Sequence, residues 1–284
     1  MVEELSLSPY TADDQNKNSF KIKLAGSLII SDFVILKKLY LYDNELAELI
    51  INNCPEIELI NCAANSLTDV GFLTTLDSEK LTNLYLEDNN ISEQDLSCFA
   101  KFVNLTALLV GNSDKNKIEQ GIYNRFTGSL ECLNDLTKLE RLSIQNTDID
   151  SGLEFLPSSV QEFHCSADQR KESGVKKIAE ELQPFLISSF HGTYDFKSWR
   201  MGGGTGSANW LGPEHISQFA TPHPTSSSKE KNTSHPKITV RKNDLEADNS
   251  GSEKETGLVI HQNEIVQESH QLQQIEINPY QKQN

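Results

Sequence analysis

Apolar residues along the first two-thirds of the chain recur at intervals that match neither the helical period nor strict strand alternation. In the segment "LKKLYLYDNELAEL" the apolar side chains are Leu36, Leu39, Leu41, Leu46 and Leu49, spaced three, two, five and three apart, with Asn44 among them. The spacing returns at Ile57, Ile60, Cys62, Leu67 and Val70 with Asn65 in the polar slot, and again from Leu81 with Asn89. Further copies begin at Leu105, Leu139 and Val160 and carry Ser113, Thr147 and Asp168 in that slot. Their starts lie 21, 24, 24, 34 and 21 residues apart, so the pattern is read as a period rather than as six unrelated segments.

Each copy holds an apolar pair two residues apart, such as Leu39 and Leu41, Leu84 and Leu86, or Leu142 and Ile144. That spacing predicts a short strand with both side chains on one side. Past the strand the chain must turn away while neighbouring copies cover its backbone, and covered backbone groups need partners. An amide side chain both donates and accepts. Stacked asparagines are therefore expected to run as a polar ladder through an apolar stack, differently bonded where Ser113, Thr147 and Asp168 replace them.

Taken together the six segments resemble leucine-rich repeats of the pattern LxxLxLxxNxL, over residues 20–187. The resemblance implies an α/β leucine-rich-repeat solenoid, with a curved parallel β-sheet on the concave side and loops or short helical turns on the convex side. A solenoid grows by stacking onto one core, so the length of 284 residues does not imply two average domains.

Outside the copies the reading changes. Residues 1–19 are polar and are expected to be a disordered N-terminus, and Phe20–Ser31 reads as an irregular first strand covering the N-terminal edge of the stack. The long fourth copy reads as interrupted by an insertion, Ser113–Leu136, with Tyr123, Arg125 and Phe126 close together. Such residues often anchor interfaces, although Phe126 also suits packing back onto the core. Val175, Ile178, Ala179 and Leu182 have helical spacing before Pro184, which predicts a capping helix at about 172–183 with its lysines in water. From about residue 188 to 284 the chain is low in complexity and is expected to be a largely disordered tail. Within it "LVIHQNEIV", Leu258–Val266, and "IEI", Ile275–Ile277, alternate in a way that suits pairing with a partner's sheet edge, with transient structure the leading expectation for both.

Charge then narrows the partners. The chain has 25 basic and 41 acidic residues, a net charge of −16, most of it within the repeat region. Such a surface repels phosphate backbones and favours basic or mixed-charge proteins, so nucleic acid is an unfavoured ligand. The acidic start "MVEELSLSPYTADDQNK" lacks the apolar run of a signal peptide, and no stretch is long and apolar enough for a membrane span. A cytoplasmic address, with the nucleus open, is the expectation. Five cysteines at irregular spacing do not suggest a disulfide framework or a CxxC zinc site.

No catalytic motif stands out, and the glycine run at 202–206 lacks the lysine of a phosphate loop. No cofactor or metal is expected, and His164 has no histidine or cysteine partner at ligand spacing. Side chains that alternate away from the leucines are instead the candidate contacts on the concave face. They are Lys38, Tyr40, Tyr42, Leu59, Asn61, Asn83, Tyr85, Glu87, Leu109, Arg141, Ser143, Gln145 and His164, with Tyr123, Arg125 and Phe126 of the insertion as a weaker set. Tyrosines also suit strands for their own sake. The expected function is a non-catalytic, monomeric intracellular scaffold that binds a protein on that face. The alternative is a regulatory subunit or separated arm of a kinase or phosphatase signalling complex.

Overall fold

The computed structural model describes residues 2–9, 23–188, 193–194 and 258–261. In chain order its strands are β1 (Glu4–Ser6), β2 (Ala25–Ser31), β3 (Lys38–Tyr40), β4 (Glu45–Asn52), β5 (Leu59–Asn61), β6 (Asn83–Tyr85), β7 (Ala107–Leu109), β8 (Thr127–Ser129), β9 (Arg141–Ser143), β10 (Asp148–Ser151), β11 (Glu162–His164), β12 (Leu186–Ser188), β13 (Thr193–Tyr194) and β14 (Leu258–His261). Among the described residues two short α-helices, α1 (Lys115–Glu119) and α2 (Lys176–Leu182), and five short 3-10 helices join them. The architecture is α/β, built on a parallel sheet of seven strands in the order β1-β3-β5-β6-β7-β9-β11.

Register explains the apolar spacing. Leu5, Leu39, Ile60, Leu84, Leu108, Leu142 and Phe163 pair strand to strand and form one buried row. Two residues on, Leu41, Cys62, Leu86, Val110, Ile144 and Cys165 are buried as well. Leu36, Ile57, Leu81, Leu105, Leu139 and Val160 are buried ahead of the strands. Three apolar positions per segment thus enter one core, and burial of this kind is the main favourable term in folding.

The polar slot behaves as a ladder. Asn65 Nδ2 donates to the carbonyls of Cys62 (3.0 Å) and Leu41 (2.9 Å), and its Oδ1 accepts from Leu46 N (3.1 Å). Asn89 repeats the set with Leu86 (2.9 Å), Cys62 (3.0 Å) and Leu67 N (3.0 Å), and Asn44 makes it with Leu41, Leu7 and Leu24 N. The fourth rung is Asn124 rather than Ser113: its Nδ2 donates to Val110 (3.1 Å) and Leu86 (2.8 Å), and Ile91 N donates to its Oδ1 (3.2 Å). Ser113 is exposed and bonds Asp88 instead. Between them the excursion carrying α1 leaves the stack and returns, so the expected insertion at Ser113–Leu136 is shorter: Asn124 and Phe126 are already core residues and β8 follows. Thr147 fills the fifth slot, buried, with one bond to the Ile144 carbonyl (2.7 Å). Asp168 is exposed, whereas Arg170, two residues on, is buried.

Edges differ from expectation too. Glu4–Ser6, placed by the sequence reading in a disordered N-terminus, is the edge strand of the main sheet, with Leu5 buried. Residues 25–31 belong to a separate parallel sheet of order β14-β2-β4. A third small sheet pairs β8 with β10, and β12 pairs antiparallel with β13.

The C-terminal helix is Lys176–Leu182, shorter than 172–183, with Val175, Ile178 and Leu182 buried and its lysines exposed. Its approach is fixed by Gly174, whose amide donates to Asp148 Oδ1 (3.2 Å) and where a Cβ would stand 2.5 Å from the Asp148 carbonyl oxygen. Of the expected tail, 188–284, only residues 188, 193–194 and 258–261 are described, and the glycine run at 202–206 lies outside the described residues. Among the described residues no helix is long and apolar enough to cross a membrane.

Candidate partner-binding surface

Because strand side chains alternate, the residues on either side of each buried leucine share the opposite face of the main sheet. The register brings the thirteen sheet candidates into three cross-strand rows. Lys38, Leu59, Asn83 and Arg141 stand in the first, and Tyr40, Asn61, Tyr85, Leu109, Ser143 and His164 in the second. Tyr42, Glu87 and Gln145 follow two residues further along. Glu4 and Ser6 of β1 extend the face by one strand, which the sequence reading missed because it placed them in the unstructured N-terminus.

The two halves of this face differ in chemistry. Toward β1 it is amphipathic: Tyr42 is 45% exposed, Tyr40 and Tyr85 are half-buried, and Leu59 lies beside them. Asn83 Nδ2 donates to the Tyr85 hydroxyl at 3.4 Å, and Lys38 lies 3.5 Å from Glu4. Burial, with the Glu4 charge adding to it, raises the Tyr40 hydroxyl above its ordinary value. Toward β11 the charges are paired with one another. Arg141 Nε donates to Glu162 Oε2 (2.9 Å), and His164 Nε2 lies 2.6 Å from Glu162 Oε1. Burial works to raise the Glu162 carboxyl, but the bond from His164 and the Arg141 charge outweigh it and hold it below its usual range.

Two candidates are corrected by burial. Ser143 is only 1% exposed, because the segment just past the neighbouring strand β7 carries Gly111: a Cβ there would stand 2.8 Å from Ser143 Oγ, so the serine occupies that space. Phe126 is fully buried against Phe99, ring centroids 5.6 Å apart, and belongs to the core rather than to a contact surface. Tyr123 and Arg125 are half-buried and engaged within the chain. The Tyr123 ring carries the Arg125 guanidinium at 4.7 Å and that of Arg170 at 4.1 Å from its centroid, and Arg125 also donates to Asn90 Oδ1 (3.0 Å) and the Gly121 carbonyl (2.7 Å). The insertion therefore uses its aromatic and arginine side chains to hold itself down.

Arg170 is the functional-looking residue that sequence reading passed over. It is buried, donates to the Asn146 carbonyl (2.9 Å) and grips both oxygens of Asp148 (3.1 and 3.2 Å). All of its guanidinium contacts are internal to the fold, which makes it a structural fastener.

Glu87 stands apart from the paired charges. It lies between Ala63 and Gly111 in its row, half-buried. Burial first, then the Asp88 carboxylate, pushes its carboxyl up to about 7, with Arg141 opposing. The folded chain thus holds this proton to higher pH than the unfolded chain, whose ordinary value is 4.5. Stability is full below that value and falls as pH rises toward the folded one. Glu87→Gln is expected to unfold at higher urea than the parent at pH 8, by about 1–2 kcal/mol, the exposed part of the side chain screening the rest. At pH 4.5 the two should coincide. A difference that does not change with pH would mean that Glu87 is already ionised in the fold.

The five cysteines are free, and burial drives the Cys62 and Cys98 thiols up to about 12, so both stay protonated. Among the described residues no group of three or more His, Cys, Asp or Glu side chains could hold a metal ion. No protein-family model matches the chain, and no curated protein matches it.

Proposed function

We propose that this chain is a leucine-rich-repeat solenoid acting as a non-catalytic scaffold, which takes a protein of basic or mixed charge on the concave face of its seven-stranded sheet. One observation carries the reading: Tyr40, Tyr42 and Tyr85 share a single face and register with Leu59, Leu109, Asn61 and Asn83. Tyrosine offers a large amphipathic area at low entropic cost, and such residues dominate interface energetics when they surround an apolar floor. The four asparagine rungs with equivalent bonds support the repeat assignment. The surrounding negative charge speeds encounter with a basic partner more than it adds affinity.

Quantitative affinity capture with the full chain tests this. Substituting Tyr40, Tyr42 and Tyr85 together by alanine should weaken retention of the principal captured protein by about 2 kcal/mol or more, roughly thirtyfold. Glu93→Ala, at an exposed position outside the main sheet, should leave it unchanged. Undiminished retention by the triple variant removes the concave face from the binding role.

A further inference from the structure

Strand β2 has two neighbours of unequal length. On one side β4 accompanies it from Ala25 to Ser31. On the other, β14 pairs only with Leu28–Ser31, in parallel: Leu258 with Leu28, Val259 with Ile29, Ile260 with Ile30 and His261 with Ser31. This second neighbour comes from the far end of the chain, beyond residues 195–257.

The match extends to side chains. Leu28 pairs with Leu49 and Ile30 with Ile51 across β4, so the three strands form two apolar rows, Leu258-Leu28-Leu49 and Ile260-Ile30-Ile51. Leu28 and Ile30 are fully buried, Ile260 is 3% exposed within the same core, and Leu258 packs partly against it. A strand edge offers unpaired amides and carbonyls to any extended chain, while alternate side chains decide which sequence fits. Here the fit requires branched apolar residues two apart, facing the core.

We propose that the outer edge of β2 is a docking site for an extended partner strand with that apolar alternation, added in parallel, and that Leu258–His261 guards the site in cis until a longer strand displaces it. The described guard covers only Leu28–Ser31, and Ala25, Gly26 and Ser27 have no described strand on that side, so an incoming strand that reaches them makes pairs beyond those described for Leu258–His261. It is also tethered, so it competes at a local concentration set by its linker. An incoming strand therefore binds with an affinity reduced by the fraction of time the edge is open. This site does not depend on the concave-face reading.

The test uses the full chain and a fluorescent peptide of residues 256–264, followed by anisotropy. Ile260→Asp in the chain removes the guard's buried side chain and should let the peptide bind at least about tenfold more tightly than to the parent. The same peptide carrying Ile260→Asp should fail to compete. Circular dichroism reports whether the variant keeps its fold, and Ile260→Gly, which adds no charge, carries the comparison if the aspartate variant does not. Equal affinity for guarded and unguarded chains overturns the proposal, as does absence of binding to the unguarded chain.

Discussion

Replacing Phe126 by alanine is expected to remove about 4 kcal/mol of folding stability, the largest loss from any single truncation among the candidate contacts. The ring is fully buried and meets Phe99 at a 55° tilt, an arrangement that adds to area burial. It follows the Asn124 rung by two residues, the place that Leu46, Leu67 and Ile91 hold after Asn44, Asn65 and Asn89, and all of these are buried. Its carbonyl also accepts from Asp148 N (2.8 Å), tying the residue to the next segment. A close-packed interior cannot collapse around so large a void without disturbing several strands. Urea unfolding measures the loss, and Phe126→Leu should cost less than half as much. A loss below about 1 kcal/mol, typical of a surface site, would place the ring outside the core.

The same residue shows where sequence reasoning worked and where it failed. Apolar spacing located the buried row of the main sheet at Leu39, Ile60, Leu84, Leu108, Leu142 and Phe163, because strand alternation is local and needs no knowledge of the rest of the fold. The amide slot was equally legible at Asn44, Asn65 and Asn89. It failed at Ser113, since counting along the chain assumes that nothing leaves the stack between strand and rung. The missed signal was the pair formed by Asn124 and Phe126, which repeats the asparagine-x-apolar spacing of the earlier rungs. Burial of Ser143 followed from a glycine just past the adjacent strand, a tertiary fact invisible along one segment. The pairing of Glu4–Ser6 was hidden for a similar reason, since a strand this short has little pattern of its own, whereas the alternation at Leu258 was legible and only its partner, β2 of the same chain, was not.

Asn124→Ala should cost about 3 kcal/mol, whereas Ser113→Ala, at the position linear spacing selects, should stay within about 0.5 kcal/mol. Asn124 is fully buried and serves three backbone groups through its side chain. Truncation strands the Ile91 amide in the interior and removes a donor from Val110, while Leu86 keeps its bond from Asn89. A buried donor without an acceptor loses its hydration and gains nothing in return, so the cost exceeds the net worth of the bonds themselves. Asn124→Asp separates the two roles of the amide. It preserves an acceptor for Ile91 but turns a second oxygen toward two carbonyls, and burial makes that charge more costly. The aspartate variant should therefore be at least as unstable as the alanine variant at pH 7 and should recover on acidification, as the raised carboxyl regains its proton and can donate again. Chemical denaturation of the three variants at pH 7 and pH 5 measures this. An aspartate variant whose deficit relative to the parent is the same at both pH values would show that the donor function at this rung does not hold the neighbouring segments together.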